Sequence, residues 1–161
     1  MTDATASTAR DTGSAAHDDL LQPPTRLLVV DGDDRTRESI AGLLRIRDRF
    51  EVVGSAGHAA AAIALVREHR PDVVILDPRL PELPDGISLI KRIRAVRPTV
   101  RILALGWSPE LEQPLVAAGA DGFLRKTFKP AELTAAIDRC VDDDADAPVP
   151  AAPRSAAGMI L

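Results

Sequence analysis

Aromatic residues and cysteine are nearly missing from this chain: 161 residues include no Tyr, one Trp, three Phe and one Cys. Each scarcity excludes something. With Cys140 alone, no internal disulfide and no thiolate metal cluster can form. With so few rings, a core has to be built from Val, Leu, Ile and Ala. No apolar run approaches the ~20 residues of a membrane-spanning helix. The N-terminal stretch MTDATASTARDTGSAAHDD lacks the apolar segment of a secretory signal, and its acids argue against a transit peptide. A soluble, cytoplasmic protein is the expectation, and heavy Ala and Arg usage suggests a GC-rich bacterial genome.

Basic surface is scarce as well. The net charge is −4, but it is unevenly spread. Between Arg26 and Cys140 stand 18 Lys+Arg against 16 Asp+Glu, which leaves 2 of the 20 basic and 8 of the 24 acidic residues to the two ends. A nearly neutral central region lacks the basic footprint that duplex nucleic acid requires. The three histidines, His17, His58 and His69, are too scattered to suggest a metal site.

What is present has a clear period. Short apolar runs occur at Leu27–Val30, Glu51–Val53, Val73–Leu76, Ile102–Leu105 and Gly122–Leu124, and each precedes a stretch with helical spacing. Five strand–helix units with short links predict an α/β fold, a parallel sheet covered on both faces. Ser108-Pro109-Glu110 and Pro130 with Glu132 read as helix starts, and Gly119 as a helix stop. Pro114 falls inside the fourth helix, where a proline removes a hydrogen bond, so that helix is expected to be short or kinked. Composition assigns residues 1–24 to a disordered N-terminal tail, 25–141 to the folded domain, and 142–161 to an acidic, Pro/Ala-rich disordered tail.

Parallel sheets of this type place ligands at the carboxyl ends of their strands. Those ends carry Asp31, Asp33 and Asp34 after strand one, and Asp77 after strand three. Gly106 and Trp107 follow strand four, and Lys126 follows strand five. Singly, each has an ordinary explanation: Asp77 before Pro78 is a turn residue, Asp33 or Asp34 caps a helix, Lys126 is a solvated lysine. Their coincidence on one rim points to chemistry. Carboxylates suit Mg²⁺, and a lysine can neutralise a phosphoryl group.

The stretches LLVVDGDDRTRESI, PDVVILDPRLP followed by DG, and AAGADGFLRK with a Phe two places on resemble the receiver domain of two-component response regulators. They are especially similar to receivers normally fused to a helix-turn-helix output domain. The resemblance covers residues 26–140 and implies a doubly wound, flavodoxin-like sheet of order 2-1-3-4-5. It implies phosphotransfer from a sensor histidine kinase or phosphotransfer protein to Asp77. It also implies Mg²⁺ held by Asp31 and Asp77 with the Arg79 carbonyl, Lys126 paired with the phosphoryl group, and Phe123 at an aromatic switch position. Output would be to a downstream protein or a second copy through the fourth helix, fifth strand and fifth helix, without enzymatic activity.

Departures accompany the matches. Gly32 stands where the family has a second acid, with Asp33, displaced by one place, as the candidate substitute ligand. Gly106 stands where the family has Thr or Ser, and Trp107 where it has a small residue. Three of five site positions are filled (Asp31, Asp77, Lys126). An alternative is therefore an interaction module that signals without phosphorylation. A rival is a phosphatase of the haloacid-dehalogenase type, with Asp31 as nucleophile and Asp33 as general acid, although Arg35 departs from its motif. Another is a DNA-binding transcription factor, but the acidic stretch after Cys140 does not read as a helix-turn-helix.

Overall fold

The computed structural model describes residues 22–142. The expectations for the two tails lie, apart from residues 22–24 and Asp142, outside the described residues. Five strands alternate with five helices: β1 Thr25–Val30, α1 Asp34–Arg45, β2 Phe50–Ala56, α2 Ala59–His69 and β3 Val73–Leu76. There follow α3 Leu83–Val96, β4 Arg101–Gly106, α4 Glu112–Ala118, β5 Gly122–Arg125 and α5 Pro130–Asp142. The strands pair in parallel in the order β2-β1-β3-β4-β5.

Alternation along each strand explains why both faces are covered. Leu28, Val30, Val74, Leu76, Ile102 and Ala104 pack with residues of α2, α3 and α4. Their neighbours Leu27, Val29, Val73, Ile75, Leu103 and Leu105 pack with residues of α1 and α5. Successive side chains of a strand point to opposite faces, so a run with no polar member must be buried twice. All four residues of β3 are fully buried.

The helix ends follow local chemistry. Asp33 caps α1, its Oδ1 accepting from Thr36 N at 2.7 Å. Arg70 in the left-handed region ends α2 immediately before Pro71, and Gly119 (φ 115°) ends α4. Pro114 interrupts the expected fourth helix in a specific way. A single 3₁₀ turn, Pro109–Leu111, comes first, and α4 then starts at Glu112. Pro114 thereby lies in the first turn of α4, where its missing N–H leaves little unsatisfied.

Candidate functional site

The acidic rim is an extension of the sheet. The Asp77 N–H donates to the Val30 carbonyl at 2.8 Å, and the Asp31 N–H to the Ala56 carbonyl at 3.1 Å. The parallel ladder therefore runs one residue past β1 and β3 and sets Asp31 and Asp77 at adjacent strand ends. The Lys126 N–H donates to the Gly106 carbonyl at 2.9 Å and extends β5 in the same way.

Both carboxyl groups are buried, and each is held at two points. Asp31 Oδ1 accepts from the Asp33 N–H at 2.9 Å, and Asp77 Oδ1 from the Arg79 N–H at 2.8 Å. These are matching turns in which a short acid bonds the backbone two residues on. The other oxygen of each faces the same cation. Lys126 Nζ donates to Asp31 Oδ2 at 2.7 Å and is also ion-paired with Asp77 Oδ2. Burial disfavours the lysine charge, but the hydrogen bonds and charges of Asp77 and Asp31 outweigh it and raise the Lys126 pKa above its usual value.

Asp33 is used differently. Its carboxylate is exposed and serves as the α1 cap, and the Thr36 hydrogen bonds are the main reason its pKa lies below the ordinary value. Two residues to which the sequence reading gave no role complete the setting. Arg37 donates to the Asp31 carbonyl at 2.7 Å and pairs with Asp34 at 2.5 Å, which ties the β1–α1 loop to the first helix. Its spacing of three from Asp34 was the only hint. Gly86, in the first turn of α3, lies under the loop after Asp77, and a Cβ there would come within 1.9 Å of the Pro78 carbonyl oxygen. Only glycine allows that approach.

Among the described residues no group of three or more His, Cys, Asp or Glu side chains is arranged to hold a metal. What is present is two carboxylates and a carbonyl. A Cβ on Gly32 would lie 3.3 Å from the Arg79 oxygen, so the glycine sits against that carbonyl and brings no acid of its own. Mg²⁺ requires only one or two carboxylates when waters and phosphate oxygens complete its shell. Asp31, Asp77 and the Arg79 carbonyl fit that minimum.

The other side of the rim is apolar. Gly106 ends β4, buried, and Trp107 beside it is 54% exposed. A groove of about 320 Å³ runs along the rim between Thr36, Ile40 and Leu43 of α1 and Trp107, Lys126 and Phe128. Phe123 is half-buried against the α2–α3–α4 face of the core.

This arrangement agrees with comparisons to known proteins. Residues 27–138 match the family model described as "Response regulator receiver domain". The chain belongs to the response regulator receiver family. Among receiver relatives, the probable transcriptional regulatory protein NarL of Mycobacterium tuberculosis is 33% identical over 121 residues, 73% of this chain and 56% of NarL. The chain thus spans little more than half the length of that relative. The chemotaxis protein CheY of Bacillus subtilis is 32% identical over 120 residues, 73% of this chain and 98% of CheY. The solved signal receiver domain of the Mycobacterium tuberculosis NarL superposes with a TM-score of 0.69 at 30% identity, over 75% of this chain and 98% of that one. The receiver fold, its strand order and its helices on both faces are as the sequence indicated. No described helix is long and apolar enough to cross a membrane.

Proposed function

We propose that this receiver accepts a phosphoryl group on Asp77 and acts through protein–protein contacts. The observation that carries the proposal is the shared cation: Lys126 bridges Asp77 and Asp31 at neighbouring strand ends. In the reaction a carboxylate oxygen of Asp77 attacks the phosphorus of a phosphohistidine on a sensor kinase or phosphotransfer protein. A P–O bond forms, the P–N bond breaks, and the imidazole leaves. An acyl phosphate remains on Asp77.

The residues divide the work. Asp77 supplies the nucleophile, and the turn to the Arg79 N–H fixes its orientation. Lys126 stands ready to exchange a carboxylate oxygen for a phosphoryl oxygen, because charge-assisted pairs of this kind re-form with either anion. Asp31, Asp77 and the Arg79 carbonyl would hold Mg²⁺, which neutralises phosphoryl charge when bound. Asp33 acts in this scheme as a helix cap. The dehalogenase-type reading requires Asp33 as a general acid, and capping with a lowered pKa is unfavourable to that role. Asp31 is likewise committed to Lys126.

Incubation with Mg²⁺ and a small phosphodonor, followed by intact mass measurement, tests the proposal. The expected result is a gain of one phosphate that needs Mg²⁺ and is absent in Asp77→Asn. A gain that persists in Asp77→Asn would sink it.

A further inference from the structure

Position 106 is vacant of side chain, yet its space is filled. A Cβ built on Gly106 would lie 2.9 Å from Phe123 Cε2, 3.1 Å from Phe123 Cζ and 3.0 Å from Leu111 Cδ1. Carbon atoms attract at about 3.5–4.0 Å and repel well inside that range. The ring and the leucine methyl therefore occupy the volume that any other residue at 106 would claim.

Strand register explains how the ring gets there. Phe123 pairs with Ala104, and Gly106 lies two residues further along β4, on the same face. Two small residues in succession leave a shallow trough on that face, and the Phe123 ring extends along it. Leu111, from the 3₁₀ turn before α4, packs against the same core from the other side. The result ties together β5, which ends next to Lys126, and the turn that leads into α4. A rigid ring is not a flexible tip. It cannot make room for a branched residue at 106 without leaving the trough.

We propose that Gly106 seats Phe123 in this inward position whatever the chemical state of Asp77, so that the surface carried by β5 and α4 is set by packing. Gly106 has no hydroxyl to draw the β4–α4 loop toward a phosphoryl group, and the ring already fills the space beside it. Modification of Asp77 then leaves that surface unchanged, and a partner docking there meets one conformation. The inference rests on Asp77 as the acceptor only for what it says is not transmitted; the seating of the ring stands independently.

Two arms test it. In the first, the three phenylalanines are replaced biosynthetically by 4-fluorophenylalanine, and Phe123→Leu assigns one of the three fluorine resonances. With Mg²⁺ and a small phosphodonor, phosphate gain is read by mass on the same sample. The Phe123 resonance is expected to stay in place while the mass rises. A resonance that moves in step with the mass overturns the inference. In the second arm, Gly106→Thr is compared with wild type without any donor. The Phe123 resonance is expected to shift and Tm to fall, and the Tm loss caused by Gly106→Thr is expected to be smaller in a Phe123→Ala background than in wild type. An unmoved resonance, or an equal Tm loss in both backgrounds, overturns the inference. Should Gly106→Thr not fold, Gly106→Ala takes its place, since the Cβ alone meets the ring. Absence of any mass gain would count against Asp77 as acceptor, and the second arm would still decide where Phe123 sits.

Discussion

The rim of the sheet has two halves built on different principles. At the ends of β1 and β3, every carboxylate oxygen has a partner: each of the two buried carboxyl groups has its own backbone N–H donor, and both share one ammonium. Beside the end of β4 stand a glycine, an exposed indole and the phenyl ring of Phe123 from within β5, while the end of β5 itself sends Lys126 to the acidic half. The first half is where the proposed phosphoryl acceptor stands. The second is held by an apolar contact. The comparison teaches that one sheet rim can join a polar cluster held by ion pairs to an apolar patch held by packing.

The largest effect is expected where the acidic half depends on close backbone approach. In Gly86→Ala the new methyl would overlap the Pro78 carbonyl and lift the loop that carries Arg79. Overpacking this severe against backbone costs about 3 kcal/mol or more, and urea unfolding should show it, together with loss of phosphorylation. Next is Lys126→Met, which leaves Asp31 and Asp77 facing each other without their cation. Removing one member of a buried ionic cluster costs about 3 kcal/mol. Asp77→Asn removes one of the two like charges and should change stability by no more than about 1 kcal/mol. If both substitutions cost the same, the shared-cation account of the acidic half is wrong.

The smallest effect concerns Asp33. Asp33→Asn keeps a competent helix cap. It should leave the Mg²⁺ concentration for half-maximal phosphorylation well under the roughly tenfold rise that loss of a ligand-orienting group brings. A larger rise would make Asp33 part of the donor set. Asp33→Ala removes the cap, and the pH dependence has a definite sign. The folded pKa of Asp33 lies below 3.8, so its stabilisation is present above that value and is lost as pH falls through the folded pKa. The Tm difference between wild type and Asp33→Ala should therefore narrow below pH 3.8.

Much of the acidic half was legible in the sequence, and little of the apolar half was. Strand ends can be read from apolar runs, and LLVVD and VVILD place an acid directly after each run. A parallel sheet then brings Asp31 and Asp77 together. The choice between Asp33 and Asp34 as cap was open, because either spacing suits a first turn; the Thr36 N–H settles it. Pro114 signalled a disturbed fourth helix, and the disturbance took the form of a separate 3₁₀ turn. The seating of Phe123 had no local signal. It depends on the β4–β5 register, on Ala104 and Gly106 both being small, and on Leu111 arriving from another element. Gly86 stood in the sequence as the glycine of the DG pair, but its role did not, since that is set by a loop that packs on it from outside its helix.

The most direct test of the central claim is to locate the phosphate chemically. Borohydride reduces an aspartyl phosphate to homoserine, so phosphorylation with Mg²⁺ and a small donor, then reduction, digestion and peptide sequencing, names the residue that was modified. Homoserine at position 77 alone, and only when donor and Mg²⁺ were both present, is the expected result. Homoserine at position 31 or 33, or at none, would contradict the account.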